Sequence, residues 1–150
     1  MPILILAIAV VVLDQLVKAY VQNHMTVGMS IPVIDGIFHI TYVLNPGAAF
    51  SLLEHRTGFF IGVAVALFAA VLYFYPRIPQ EYRLLRLGIG LQAGGAAGNL
   101  IDRMQTGYVV DFLDFRIWPV FNIADMAIVG GVGLILYSLL YLQNKKDEER

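Results

Sequence analysis

The chain has 150 residues, of which 59% are hydrophobic and only 14% are charged, and its mean hydropathy is +0.73. Soluble domains carry roughly 25% charged residues, so this composition indicates an integral membrane protein. Ten basic and eleven acidic residues leave a net charge of −1, without the basic surface that nucleic-acid binding needs. The absence of cysteine excludes disulfides, thiol catalysis, cysteine-ligated metals and lipid attachment to cysteine.

Four apolar stretches approach the length of about 20 residues that a bilayer span requires. We predict transmembrane helices in one domain over residues 1–150, at about residues 2–21, 58–75, 84–101 and 123–142. The alternative for the first stretch is a signal peptide. That stretch lacks a basic start and continues through Asp14 and Lys18 without a small-residue cleavage site, so we expect a span.

The distribution of basic residues predicts the orientation in the membrane. The connection between the second and third stretches and the C-terminal tail hold six of them: Arg77, Arg83, Arg86, Lys145, Lys146 and Arg150. The opposite connections hold only Arg56 and Arg116. Because cytoplasmic loops are richer in Lys and Arg, both termini are predicted to be cytoplasmic, with segments 22–57 and 102–121 outside.

The two outer segments carry β-strand signals. Residues 31–44 are rich in β-branched and aromatic side chains and are interrupted by Asp35-Gly36, which predicts a hairpin. Residues 115–121 are a candidate third strand, which Pro119 would confine to an edge. The sequence thus favours an all-α membrane protein with a small β addition on the outer surface.

Polar residues in such an apolar chain mark functional sites or buried pairs. Asp14 and Lys18, four residues apart and next to Gln15, can form an ion pair on one helix face, which is the structural alternative to a functional role. Asn45 opens an Asn-Pro-Gly turn, or its amide points into a cleft.

The third stretch combines small and polar residues. Gly90, Gly94 and Gly98 recur every fourth position and predict close helix packing. Asn99 shares a helix face with Asp102 and Arg103, which project from the outer end of the same helix.

Two further acids, Asp111 and Asp125, lie in apolar runs near the same outer interface. Asn122 and Asp125 also have the spacing of a helix N-cap and an acidic third residue, which is a structural alternative. Two close carboxylates in a low-dielectric site share a proton, so that one can activate a water and the other can protonate the scissile group. Peptide hydrolysis by an aspartate pair is therefore one prediction.

Other hydrolytic sites fit the sequence less well. The three histidines have no zinc-binding spacing. Ser30, Ser51 and Ser138 lack a nucleophile motif or an evident nearby base. Among the enzymatic alternatives, the aspartate pair is favoured.

Five blocks together resemble the bacterial lipoprotein signal peptidase family (signal peptidase II). In order they are DQLVK (14–18), NPGAAF (45–50), GGAAGNLIDR (94–103), VVDF (109–112) and FNIAD (121–125). The glycine-rich block, followed closely by VVDF and FNIAD, is the most specific part.

The resemblance implies a bacterial inner-membrane protein with four transmembrane helices, an extracytoplasmic β-cradle and an active site near the outer face. It implies an aspartic endopeptidase that cleaves prolipoproteins just before a cysteine carrying diacylglycerol. Its partners would be those substrates and membrane lipids, with no cofactor, no metal and no nucleic acid, and we expect a monomer.

Residue by residue, the resemblance assigns Asp111 and Asp125 as the catalytic pair. Asn99, Arg103 and Asn122 would line the site, Asn45 and Lys18 would support it, and Asp14 would have a mainly structural or substrate-contact role.

Several alternatives stay open at this point. Asp114 or Asp102 could replace Asp111 in the pair, although the motif favours Asp111, and Asp114 lies near Arg116 as a candidate surface ion pair. A small transporter with a polar path is a second class of function. A scaffold that uses its glycine faces to bind helices is a third.

Overall fold

A computed structural model describes residues 2–47 and 56–148, with side chains described over 3–47 and 56–142. Its elements are α1 (Pro2–His24), β1 (Ser30–Ile34), β2 (Phe38–Asn45), α2 (Thr57–Phe74), α3 (Arg83–Thr106), β3 (Val109–Asp114) and α4 (Ile123–Glu148). A short 3-10 turn, Tyr75–Arg77, follows α2. Residues 48–50 of the NPGAAF block and Ser51 lie outside the described residues.

Three helices in the described part of the chain are long and apolar enough to cross a membrane: Ile3–His24, Thr57–Arg77 and Ile123–Leu142. They match three of the four predicted spans. Helix α3 is not among them, because its glycines and polar residues such as Asn99 and Asp102 lower its hydropathy. A fourth span at α3 stays a prediction.

Helix α3 packs against each of the other three helices, and its glycines permit the close approach to α1 and α4. A methyl group on Gly94 would lie 2.9 Å from the Ala7 carbonyl oxygen of α1, and one on Gly98 would lie 2.7 Å from Asp14 Oδ2. Gly95 meets the backbone of α4 at Ala124. The predicted packing role of the glycine repeat is confirmed.

The three strands form one antiparallel sheet in the order β1-β2-β3. The predicted hairpin is confirmed: Asp35-Gly36 lies in the turn between β1 and β2, and Gly36 has a φ of +69°, which glycine adopts without strain. Strand β2 pairs with β3 so that Val43 is opposite Asp111, after a register irregularity between Ile40 and Val43. The sheet therefore carries Asp111 on its third strand.

The prediction of a third strand at residues 115–121 was wrong, since the strand lies at Val109–Asp114. Arg116 has a φ of +65°, and its backbone N–H donates to Asp114 Oδ1, so the chain turns away from the sheet there. Only Phe121 returns, in an isolated bridge with Leu113. Helix α4 starts two residues later, at Ile123.

Candidate active site

All the predicted site residues come together at one end of the helical bundle, where α1, α3 and the start of α4 meet β2 and β3. They are Asp14, Lys18, Asn45, Asn99, Arg103, Asp111, Asn122 and Asp125. Hydrogen bonds and ion pairs connect seven of them into one network, and Arg103 lines the same cleft as Asn99 and Asp125.

The Lys18 ammonium group lies at the base of this network and is 2% exposed. Its Nζ lies 2.8 Å from Asp14 Oδ2, 2.8 Å from Asp102 Oδ2 and 3.0 Å from Asn99 Oδ1. Three acceptors match the three N–H donors of the ammonium, which is what a buried lysine requires. The predicted Asp14–Lys18 ion pair is confirmed, and it extends to a second acid on α3.

The two acids paired with Lys18, Asp14 and Asp102, also bind backbone N–H groups of α4 and β3. Asp14 Oδ1 accepts a 2.9 Å hydrogen bond from the Ala124 N–H in the first turn of α4. Asp102 Oδ2 accepts one of 3.1 Å from the Val110 N–H on β3. These two bonds hold the chain next to Asp125 and Asp111 respectively.

Two asparagine side chains lie between Lys18 and the candidate catalytic acids. Asn99 Oδ1 accepts from Lys18, which turns its Nδ2 toward Asp125 Oδ1 at 2.7 Å. Asn122 Nδ2 donates to Asp111 Oδ1 at 2.6 Å and lies 3.1 Å from Asn99 Oδ1. The amide orientations therefore direct donors at both carboxylates.

Asn122 and Asp125 also form the helix cap that their spacing indicated. The Asp125 N–H donates to Asn122 Oδ1 at 2.9 Å, and the Asn122 N–H donates to Asp125 Oδ2 at 3.3 Å. This reciprocal arrangement satisfies backbone donors at the start of α4. The capping interpretation is confirmed, and the same two residues contact the other members of the site.

Asp111 is buried on β3, with 2% exposure. Its Oδ2 accepts a 2.9 Å hydrogen bond from Asn45 Nδ2, and Asn45 Oδ1 in turn accepts from the Gly47 N–H. Asn45 thus forms the predicted turn and also directs a donor at Asp111. Burial, followed by the negative charge of Asp125, raises the pKa of the Asp111 carboxyl to about 7.

A cleft of about 520 Å³ opens beside this network. Asn45, Asn99, Arg103 and Asp125 line it, together with residues of α2 and of the 118–121 segment. Arg103 Nη2 donates to the Gly47 carbonyl at 3.0 Å, and its guanidinium lies 4.4 Å from the centre of the Phe60 ring. Asp125 therefore lines an open cleft that is also lined by the cation of Arg103.

The two alternative acids, Asp102 and Asp114, are engaged by other partners in the structure. Asp102 is engaged with Lys18, Gln15 and the Val110 N–H. Asp114 pairs with Arg116, whose Nη1 lies 3.0 Å from Asp114 Oδ2. Burial raises the pKa of Asp114, but hydrogen bonds from Thr41 and Arg116 outweigh this and hold the pKa below its usual value.

The prediction that the serines lack a nearby base was wrong for Ser30. Ser30 Oγ lies 3.1 Å from His39 Nδ1, because β1 and β2 pair across the hairpin and bring the two side chains together. Within the described residues, His39 Nε2 has no hydrogen-bond partner, so no acid orients the ring as a catalytic triad requires. Nor do the described residues contain a group of three or more metal-binding side chains.

Two features of the site were not predicted from the sequence. Asp102 acts as an anchor for β3, and its spacing from Lys18 along the chain gave no signal of that contact. Gln92 lines the inner part of the cleft. A polar residue in the middle of an otherwise apolar and glycine-rich stretch is the signal that could have identified it.

The family model described as signal peptidase (SPase) II matches residues 6–141 of the chain. The lipoprotein signal peptidase of Moorella thermoacetica is 50% identical over 149 residues, which are 99% of each protein. The lipoprotein signal peptidase of Pelotomaculum thermopropionicum is 52% identical over 147 residues, or 97% of each.

Two solved structures also resemble the chain, both described as bacterial membrane enzymes studied by the in meso method. The first has a TM-score of 0.91 and 36% sequence identity, covering 97% of this chain and 91% of the other. The second has a TM-score of 0.84 and 37% identity, covering 93% and 92% respectively.

Proposed function

The chain belongs to the signal peptidase II family, and from that premise we propose that it cuts prolipoproteins immediately before a diacylglyceryl-modified cysteine, using Asp111 and Asp125 as its catalytic pair. As a member of this family, it is a membrane protease that cleaves lipoprotein signal peptides. Family membership decides for a protease against the transporter and scaffold alternatives.

The proposed chemistry uses one proton shared by two carboxylates. One ionised carboxylate takes a proton from a water molecule while the oxygen of that water attacks the scissile carbonyl carbon. The protonated partner donates to the carbonyl oxygen. As the C–N bond then breaks, the carboxyl that took the proton from water gives it to the leaving nitrogen, and the re-forming carbonyl returns its proton to the partner. No metal or covalent intermediate takes part in this route.

The observation that carries the proposal is the position of Asn122, which is bonded to both acids. Its Nδ2 lies 2.6 Å from Asp111 Oδ1, and its Oδ1 accepts from the Asp125 N–H at 2.9 Å. Asp111 also carries a raised pKa, of which the Asp125 charge is one cause. The effect of the Asp125 charge on Asp111 supports a joint role for the two acids.

Substrate access to Asp111 requires a movement of Asn45. Asp125 lines the cleft, whereas Asp111 is 2% exposed and its Oδ2 is held by Asn45 Nδ2. Asn45 itself lines the cleft. We infer that a bound peptide takes over the Asn45 amide and frees Asp111 Oδ2 for catalysis.

The proposal places the protein in the bacterial inner membrane as a monomer and as one domain over residues 1–150, with α3 as the fourth span. Both termini would face the cytoplasm, and the catalytic end of the bundle would lie at the outer interface. The signal helix ends there, and the acyl chains of the substrate can lie in apolar grooves between helices. Each buried methylene would contribute roughly 0.8 kcal/mol.

The test uses purified full-length protein in liposomes with a prolipoprotein in three forms. These are the diacylglyceryl-modified precursor, the unmodified precursor, and a precursor with serine in place of the cysteine. We expect cleavage of the modified form alone, with a mature product whose N-terminal residue is the lipidated cysteine by mass spectrometry. Equal cleavage of all three, or cleavage at another bond, would contradict the proposal.

A further inference from the structure

The cleft extends from the catalytic end toward the middle of the bundle, and its α3 wall ends at Gln92. Gln92, Ala96, Asn99 and Arg103 line it at helical spacing. Gln92 is seven residues from Asn99, which is two helical turns or about 10.5 Å along the axis. Gln92 therefore lies about two helical turns deeper in the bundle than the end that holds Asp111 and Asp125.

The surroundings of Gln92 in the cleft are apolar. At this end the lining consists of Val63 and Leu67 from α2 and Ile128 and Val129 from α4. Within the described part of the chain, the Gln92 side chain makes no hydrogen bond. The residue is half-buried and its amide can be reached from the cleft, and polar residues at membrane depth are by default candidates for a functional site.

The close approach of Gln92 to Gly131 of α4 involves the backbone nitrogen and the Cβ atom of Gln92. A methyl group on Gly131 would lie 2.8 Å from the Gln92 nitrogen and 3.2 Å from its Cβ. A residue of similar size could preserve that contact with any terminal group. Packing therefore does not account for the amide.

We propose that Gln92 is a binding subsite for a main-chain carbonyl of the signal segment. The inference rests on the proposed function and adds the polar group that receives the peptide inside the membrane. A helix leaves its last four carbonyl groups without intrahelical donors. A signal helix that unwinds before the scissile bond would expose those carbonyls to lipid, where each needs a donor. The Gln92 side chain offers two N–H donors at that level.

The geometry defines which residues of the substrate reach Gln92. If the scissile bond lies at the level of Asn99, the 10.5 Å separation corresponds to about three extended residues or about seven helical ones. The recognised carbonyl is therefore three to seven residues upstream of the cleavage site. The contact does not depend on side-chain identity, which suits an enzyme that processes varied signal peptides.

The test pairs an enzyme variant with backbone-modified substrates. Synthetic diacylglyceryl peptides are made with the amide replaced by an ester at one position at a time, three to seven residues upstream, which weakens one carbonyl as an acceptor. Wild type, Gln92→Leu and the matched control Gln80→Leu are compared in detergent. Gln80 lies in the connection at the opposite end of α3, away from the cleft.

We expect Gln92→Leu to lower kcat/KM on the all-amide peptide by about 3- to 10-fold, the effect of one neutral hydrogen bond, mostly through KM. Gln80→Leu should equal wild type. One ester position should impair wild type by a similar factor and should not impair Gln92→Leu further, as expected for a coupled pair. Gln92→Met, which also lacks a donor, should behave as Gln92→Leu.

Three results would overturn the subsite. One is equal kcat/KM for wild type and Gln92→Leu on the all-amide peptide, and another is an identical ester sensitivity of the two enzymes. The third is a large loss of thermal stability in both Gln92 variants, which would make the residue structural. Failure of wild type to cleave any lipidated peptide would instead refute the proposed function itself, so the two failures are distinguishable.

Discussion

Asn122 donates a 2.6 Å hydrogen bond from its Nδ2 to Asp111 Oδ1 while its Oδ1 caps the first turn of α4. One side chain therefore joins the third strand of the sheet to the start of the last helix. Since Asp125 lies in that first turn, the cap also fixes the position of the second acid relative to the first. The helix cap and the bond to Asp111 use different atoms of Asn122, so the two contacts can be separated.

Replacement of Asn122 by serine or alanine separates the helix cap from the bond to Asp111. Serine is also a good N-cap, so Asn122→Ser should keep the cap, and Asn122→Ala should be about 1 kcal/mol less stable than Asn122→Ser. Neither residue can donate to Asp111 as the amide does, so both should lose most proteolytic activity. Thermal unfolding in detergent and cleavage of a lipidated precursor measure the two effects. Wild-type activity in Asn122→Ser would show that the bond to Asp111 is dispensable.

Removal of the Lys18 charge should destabilise the protein strongly. Lys18→Met leaves Asp14 and Asp102 buried without their cation, a loss of about 3–5 kcal/mol for a broken buried pair. Arg116→Met is the matched control, because its pair with Asp114 involves a half-exposed arginine and contributes about 1 kcal/mol or less. Denaturant unfolding in detergent compares them, and equal losses in the two variants would refute the role of Lys18.

The glycine contacts of α3 predict a second stability difference. Gly94→Ala places a methyl group 2.9 Å from a backbone carbonyl of α1, so we expect a loss of about 1–3 kcal/mol from overpacking. Gly130→Ala in α4 meets nothing within 4 Å in the described residues, and it should be neutral or stabilise the helix by up to about 1 kcal/mol. Thermal unfolding of both variants in the same detergent checks this, and a loss at Gly130 as large as at Gly94 would contradict it.

The raised pKa of Asp111 predicts a pH dependence of cleavage. Because burial and the Asp125 charge raise this pKa to about 7, the pair holds its shared proton below pH 7 and loses it as the pH rises through that value. The cleavage rate should therefore fall above pH 7, with a midpoint near that value. The rate of cleavage of a lipidated peptide between pH 5 and 9, in a detergent where the protein stays folded, measures it. A rate that increases steadily to pH 9 would exclude a protonated Asp111 from the mechanism.

Local patterns in the sequence predicted the features that depend on local geometry. The β-branched run around Asp35-Gly36 gave the hairpin, the four-residue spacing gave the Asp14–Lys18 pair, and Asn122 and Asp125 gave the cap. The third strand was predicted at the wrong residues because the strand propensity of residues 115–121 does not reveal the left-handed backbone at Arg116.

Contacts between distant segments could not be read from spacing. Lys18 meets Asp102 and Asn99, which lie more than 80 positions away, only because α1 approaches α3 closely at the α3 glycines. The site residues were singled out as polar residues in apolar runs, and their roles were assigned from the family blocks. Gln92 is absent from those blocks, and its position in the cleft emerged only from the packing of α2, α3 and α4.

The central claim is that Asp111 and Asp125 perform the cleavage, and substitution of each by asparagine tests it most directly. Wild type, Asp111→Asn, Asp125→Asn and the control Asp114→Asn are compared on one diacylglyceryl-modified prolipoprotein, with the folded state of each checked by thermal unfolding. The account predicts no detectable cleavage by the first two variants and substantial cleavage by Asp114→Asn, all of them folded. Cleavage by folded Asp111→Asn together with an inactive Asp114→Asn would contradict it.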